Sequence, residues 1–169
     1  PDDMVFESTL EKNDLRILKY GEANLSKLNG EFVYTPLENG KPQRPILVGL
    51  GNPYYTPIDA ISPFVKKCVL TCEDPSFYWH RGFVGEAFRR SIAKNIRSGK
   101  FKQGASTISM QLMKNVFLTR EKTMARKLEE ILLVYILENN RISSKDRMFE
   151  VYLNIIEWGP GVYGIGEAS

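Results

Sequence analysis

Two cysteines and one histidine are all that the 169-residue sequence offers in thiol and imidazole side chains. Cys68 and Cys72 stand four apart in an apolar stretch, so a helix puts them on one stripe. They are read as buried thiols, because two cysteines make no disulfide scaffold. A zinc site would need His80, both cysteines and more at no recognised spacing, and is excluded. Long apolar runs are also lacking. The longest, residues 131–137, falls far short of the roughly 18 residues a spanning helix needs. Pro1 opens the chain without a basic and then apolar leader, so a secretion signal or anchor of the parent protein is expected to lie outside this chain. No internal repeat and no low-complexity tract is visible. The hydrophobic fraction of 43% with 25% charged residues is that of a folded globular chain, and the length fits one domain.

Charge is present but uneven. Residues 1–56 carry 6 Lys/Arg and 8 Asp/Glu, a balance of −2, whereas residues 81–127 carry 12 basic and 2 acidic residues, a balance of +10. So basic a strip suits a polyanionic partner: nucleic acid, a phosphate or pyrophosphate, or an anionic membrane face. A solvated helix face would look the same on charge alone.

The first 56 residues read differently from the rest. Residues 32–35 and 46–49 are short β-like runs, and Asn39-Gly40 between them is a hairpin-turn signal. Residues 7–28 are ambiguous between helix and strand, and Asn24-Leu25-Ser26 fits a glycosylation sequon only weakly. From Pro57 the pattern is helical. Ser62 caps a first helix with Pro63 at its first position, and Val65, Cys68, Val69 and Cys72 follow at helical period up to Glu73. Further helices are predicted over residues 84–98, from Ser106 or Thr107 to Phe117, over residues 123–139, and from a capping box of Ser143 and Asp146 to just before Gly159. The helix at 123–139 is expected to bury Leu128, Ile131, Leu132, Tyr135 and Ile136 on one face, and nearly its whole circumference along the apolar run.

Three segments hold most of the chemistry. Residues 73–82 pack Glu73, Asp74, three aromatics and His80 just past an apolar helix. A carboxylate held there by the core and facing a cleft would be partly desolvated, which raises its pKa and suits it to general-base work. Acids are disfavoured at a helix C-terminus, so their presence asks for a reason. In the second segment, Thr107, Gln111 and Lys114 recur at i, i+4 and i+7, offering a hydroxyl, an amide and an ammonium along one stripe, with Ile108, Leu112 and Val116 opposite for the core. Such a stripe fits a sugar–phosphate ligand or plain solvent. In the third, Arg126 and Lys127 precede Glu130 by four and three residues, a surface ion pair at least. Two other patterns fail. Residues 159–164 satisfy G-x-G-x-x-G but follow a helix and contain Pro160, against a dinucleotide site. Ser91-Ile92-Ala93-Lys94 fits S-x-x-K without the partner motifs of an acyl-serine enzyme.

Taken in order, these segments resemble the family 51 glycosyltransferases, the peptidoglycan glycosyltransferase domains of penicillin-binding proteins and monofunctional transglycosylases. The motif E-D-x-x-F-x-x-H-x-G falls on Glu73, Asp74, Phe77, His80 and Gly82. G-x-S-T-x-x-Q-Q-L-x-K-N falls on Gly104, Ser106, Thr107, Gln111, Leu112, Lys114 and Asn115, with Met110 in place of the first glutamine. R-K-x-x-E and its later L-E fall on Arg126, Lys127, Glu130 and Leu137-Glu138, with Val134 where alanine is usual. The last two motifs fall on Tyr152, Leu153, Asn154 and Gly159, then on Gly161, Gly164 and Ala168. The resemblance covers residues 57–169, leaves 1–56 as an N-terminal accessory segment, and implies further helical chain beyond Ala168.

The resemblance implies a mainly α, lysozyme-like two-lobed domain with a small β-containing N-terminal segment. It implies that lipid II is polymerised into glycan strands, with inversion at the donor MurNAc C1 and loss of undecaprenyl pyrophosphate. Glu73 would take the proton of the acceptor hydroxyl, supported by Asp74, Phe77 and His80. Lys127, Arg126 and Lys114 would supply positive charge to the leaving group. Glu130 would orient Lys127, bind metal or assist charge development. Ser106, Thr107, Gln111, Asn115 and Asn154 would contact substrate. A divalent cation, magnesium or manganese, is expected from the family only, since no metal-ligand motif is visible. Expected partners are lipid II, the growing strand, the membrane surface and cell-wall synthesis proteins, with no nucleic acid. The expected site is the extracytoplasmic face of the bacterial cytoplasmic membrane, reached through an anchor preceding Pro1. A lytic glycosidase, a nucleic-acid-binding domain and a silent lipid II-binding scaffold are the rival readings; a lytic enzyme would need a general acid and no pyrophosphate site.

Overall fold

The computed structural model describes residues 25–38, 40–83, 106–118 and 123–169, except for the side chains of residues 124 and 125. The predicted helix at 84–98, the S-x-x-K segment, Asn24, Gly104 and most of the basic strip lie outside the described residues.

The N-terminal hairpin is as the sequence suggests. Strand β1 (Phe32–Tyr34) pairs antiparallel with β4 (Ile46–Val48), placing Phe32 opposite Val48. The tip is a smaller ladder of β2 (Leu37–Glu38) and β3 (Lys41–Pro42), closed through Gly40 at φ +78°. Leu25 and Leu28 of a short 3-10 turn, with Tyr34 and Val48, belong to the same buried cluster as the helices that follow. Arg147 fastens this segment by donating to the carbonyls of Leu28 and Gly30 at 2.6 Å. Glu150 beside it accepts from Tyr55 and from the Ile58 N–H.

Five helices follow among the described residues: α1 (Pro63–Glu73), α2 (Ile108–Phe117), α3 (Met124–Asn139), α4 (Lys145–Ile155) and the short α5 (Ile165–Ala168). The architecture is therefore mainly α with small antiparallel pairs. Thr107, Thr123 and Ser144 each accept a backbone N–H three residues on, satisfying an orphan donor at the starts of α2, α3 and α4. The capping box expected from Ser143 and Asp146 does not form; the N-cap of α4 is the next residue, Ser144. Helix α3 ends in a turn with Arg141 at φ +49° and the Ile142 N–H bonded to the Leu137 carbonyl. That turn takes up residues 140–143, and Ser143 is left buried with its hydroxyl unpartnered.

Two other expectations are corrected. Cys68 and Cys72 are exposed, not buried, because α1 buries none of its residues and turns this stripe to an open cleft. Helix α3 buries Arg126, Glu130, Leu133, Val134, Ile136, Leu137 and Glu138, and Ile131 and Leu132 pack half-buried against the core, so the expectation holds for Ile136 and for most of the apolar run, while Leu128 is 62% and Tyr135 48% exposed. Its inward stripe contains Arg126, Glu130 and Glu138, so hydrophobicity alone misplaces Leu128 and Tyr135. Inside, Ser109 and Lys145 both donate to Glu138, and Lys145 Nζ lies 4.4 Å from the centroid of the Phe77 ring. One buried acid thus joins α2, α3 and α4. Gly82 meets this frame at φ +83°, where a Cβ would stand 2.4 Å from Val134. Only glycine fits that approach.

After α4, β5 (Glu157–Gly159) and β6 (Val162–Tyr163) form an antiparallel hairpin turned at Gly161. The G-x-G-x-x-G segment is this hairpin, a structure not foreseen from the sequence. Its antiparallel pairing differs from the strand-to-helix turn of a dinucleotide site.

Candidate active site

A cleft of 460 Å³ opens between α1, α2, α4 and the β5–β6 hairpin. Glu73 and Cys72 line it from α1, Gln111 and Asn115 from α2, Tyr152 from α4, and Trp158 and Tyr163 from the hairpin. Glu73 is the last residue of α1 and is exposed, so the partial burial expected for it is not found. Gln111 Nε2 donates to Glu73 Oε2 at 2.8 Å. The Tyr152 hydroxyl donates to Gln111 Oε1 at 3.2 Å.

Its neighbour Asp74 is 3% exposed. Both Asp74 oxygens lie 2.9 Å from His80 Nε2, and Oδ2 also accepts the N–H of Ile108, the first residue of α2. The carboxylate at this N-terminus is favoured by the helix dipole. Phe77 is fully buried, tilted against Phe149 with ring centroids 5.7 Å apart. Asp74, Phe77 and His80 therefore form the support beneath Glu73 rather than the wall of the cleft.

The polar stripe expected on α2 breaks up. Thr107 is the N-cap, and its extended backbone folds the hydroxyl inward, where it donates to the Gly82 carbonyl and accepts from Met110 N–H. Gln111 and Asn115 reach the cleft, whereas Ser106 and Lys114 are exposed outside its lining. Met110 is 1% exposed, so the position that departs from the family pattern belongs to the core and not to the site. Asn154 is likewise taken up by structure: its amide bridges Thr56 N–H and C=O and bonds the Glu150 carbonyl.

Arg126, Lys127 and Glu130 form a second centre at the start of α3. Glu130 is 1% exposed, with one oxygen 2.5 Å from Arg126 Nη2 and the other 2.5 Å from Lys127 Nζ. The spacing read from the sequence is realised, but as a buried cluster rather than a surface pair. Burying a carboxylate is tolerated here because both oxygens meet a cation. Arg126 Nη1 is buried without a protein partner. The residues lining the 460 Å³ cleft do not include this trio.

The donors present do not fit a dedicated metal cage. Both oxygens of Glu130 are engaged by cations, and among the described residues no three His, Cys, Asp or Glu side chains converge. The sequence reading missed the cleft-facing roles of Tyr152, Trp158 and Tyr163. Tyr152 was within reach, since it opens one of the motifs, but an aromatic at helical spacing looks like core until its hydroxyl partner is known.

Comparison with known proteins bears out the family resemblance. The pattern of the transglycosylase family matches residues 48–169, beginning ahead of residue 57 and taking in the end of β4. A protein of Dechloromonas aromatica called a biosynthetic peptidoglycan transglycosylase is 45% identical over 115 residues, 68% of this chain and 49% of its own length. Like-named proteins of Chromobacterium violaceum and Methylobacillus flagellatus are 45% and 46% identical over 115 and 109 residues, covering 68% and 64% of this chain and 50% and 47% of theirs. The chain thus spans about half the length of the curated relatives it matches.

Proposed function

The chain belongs to the transglycosylase family, and from that premise we propose that it is the catalytic part of a peptidoglycan glycosyltransferase that polymerises lipid II. The observation that carries the reading is the exposed Glu73 carboxylate, standing in the cleft at the end of α1 and hydrogen-bonded by Gln111. The 4-hydroxyl of the acceptor GlcNAc attacks C1 of the donor MurNAc. As the new C–O bond forms, Glu73 takes the hydroxyl proton. The C1–O bond to the pyrophosphate breaks with inversion, and its electron pair leaves with undecaprenyl pyrophosphate.

That leaving group departs as an anion, so positive charge serves it better than a proton donor. Arg126 and Lys127 are the cations for this task, and Arg126 Nη1 is a donor without a protein partner. Glu130 orients both, through one oxygen each. A divalent cation would find its ligands mainly on the substrate phosphates, as magnesium commonly does. Asn115 in the cleft is the remaining polar contact for sugar. The finer fold we propose is the lysozyme-like two-lobed one, supported by the family match and the mainly helical frame. Because the substrate is a lipid whose sugars become cell wall, the reaction is placed at the extracytoplasmic face of the membrane. Among the described residues no helix is long and apolar enough to cross that membrane.

The test is lipid II polymerisation by the full-length protein with and without Glu73→Gln. Wild type should yield moenomycin-sensitive glycan strands. The variant should keep its fold and lose about 10²–10⁴ in rate, the usual contribution of a general base. Soluble fragments released from intact peptidoglycan would favour a lytic glycosidase. Lipid II binding without polymerisation would favour a silent scaffold.

A further inference from the structure

Gln111 matches a motif position expected to touch substrate, yet both ends of its amide are engaged within the protein. We propose that Gln111 is a positioning residue, locked by Tyr152 so that its amide N–H points at Glu73 and fixes that carboxylate for proton abstraction. The inference rests on Glu73 being the base.

The relay crosses three helices. Tyr152 on α4 donates to Gln111 Oε1 at 3.2 Å, and Gln111 on α2 donates to Glu73 Oε2 at 2.8 Å at the end of α1. Tyr152 is 2% exposed and stacks on Phe149 with centroids 6.5 Å apart, so its hydroxyl is held by the core. A primary amide can turn over and exchange its oxygen and nitrogen. Here only one orientation works. An ionised carboxylate can only accept. Burial, and then the nearby Glu73 and Asp74 carboxylates, push the Tyr152 hydroxyl above its ordinary pKa, so it keeps its proton and donates. The N–H therefore faces Glu73, and the amide oxygen on the other side accepts the hydrogen bond that the Tyr152 hydroxyl donates. With Oε2 occupied by the amide, proton uptake is directed to Oε1.

The other ionisable groups around Glu73 do not substitute for this relay. Asp74 is turned into the core on His80 and the Ile108 N–H. Cys68 and Cys72 share the α1 wall, Glu157 lies on the hairpin side of the cleft, and exposed Lys114 is one turn further along α2. None of these could set the orientation of the Gln111 amide as Tyr152 does, because the Tyr152 hydroxyl is bonded directly to its oxygen.

The experiment is the pH profile of kcat for lipid II polymerisation by the full-length protein, for wild type, Tyr152→Phe, Gln111→Glu and Glu73→Gln. Tyr152→Phe keeps the ring but leaves the amide oxygen without its donor, so the amide is held less firmly against Glu73. Its acidic limb should move upward, one pH unit corresponding to about tenfold lower kcat on the acid side, with the alkaline plateau and KM near wild type. Gln111→Glu sets a second carboxylate against Glu73 and should move the limb further. Should Tyr152→Phe fail to fold, the isosteric Gln111→Glu carries the same test. Acidic limbs unchanged in both variants, or KM raised with the kcat profile unmoved, would overturn the relay and return Gln111 to direct substrate contact. Full activity of Glu73→Gln would overturn the base assignment and the relay with it, an outcome distinct from the first two.

Discussion

Helices α1 and α4 are each eleven residues long, yet α1 buries none of its residues and α4 buries seven. α4 is the frame. Its Arg147 and Glu150 hold the chain on either side of the N-terminal hairpin, its Met148, Phe149 and Leu153 pack into the core, and its Asn154 holds the chain at Thr56. α1 is the carrier. It leans on the frame through half-buried Val65, Val69 and Leu70, and its position is decided at its last turn. There Asp74 is fastened to α2 while Glu73, the preceding residue, is left to the cleft. A reacting carboxylate has to meet solvent and substrate, and it stays in place only if an adjacent residue is anchored to something rigid.

The sharpest way to break this contrast is Asp74→Ala. It strips His80 and the Ile108 N–H of their acceptor and should cost about 2–3 kcal/mol in urea unfolding, the usual penalty for leaving buried donors unpaired. Polymerisation should fall as well, because Glu73 loses its anchor. Glu73→Gln, one residue away, should change stability by less than about 0.5 kcal/mol. Equal unfolding free energies for the two variants would remove the distinction between anchor and reacting group.

Acid should loosen the frame from its other side. Burial pushes the Glu150 carboxyl up, but hydrogen bonds from Tyr55, the Ile58 N–H and Arg147 outweigh it and hold the group below its ordinary value. A depressed carboxylate stabilises the fold above its unfolded pKa of about 4.3, and that contribution is lost as pH falls through the lower folded value. Thermal midpoints should therefore drop on acidification, and less steeply in Glu150→Gln. Proteolysis should first reach the chain around residues 28–58, which Glu150 and Arg147 hold. Parallel slopes in the two proteins would separate Glu150 from that attachment.

The smallest expected effect lies on the carrier. Cys68 and Cys72 are exposed on the cleft wall, so a maleimide should label both without denaturant. The Cys68→Ser and Cys72→Ser variants should unfold within about 0.5 kcal/mol of wild type, as exposed substitutions usually do. Thiols that react only in urea would mean that α1 packs far more closely than the structure shows.

Much of the site could be read from spacing because helices impose it. Residues three and four apart meet on a helix, so Arg126, Lys127 and Glu130 were bound to find one another once α3 formed. The caps at Thr107 and Thr123, the helix start at Pro63 and the hairpin between residues 32 and 48 are equally local. What was misread required knowing what lies across the gap. The cysteines are apolar enough for a core, but among the described residues no layer covers that side of α1. Leu128 and Tyr135 of α3 make a plausible inner face until Glu130 and Glu138 claim it with partners from Arg126, Lys127, Ser109 and Lys145. Ser143 lost its cap to the turn that ends α3.

Glu73 and Asp74 show where the local code stops. Their order in the chain, the helix before them and the motif around them are written in the residues, and these suffice to name the family. Which of the two acids is sunk and which is left exposed in the cleft is not. That depends on donors arriving from elsewhere, the Ile108 N–H and His80 for one, and the Gln111 amide held by Tyr152 for the other. A charge is buried only where polar partners replace the water it loses, and those partners are assembled by the packing of α2 and α4 around the end of α1.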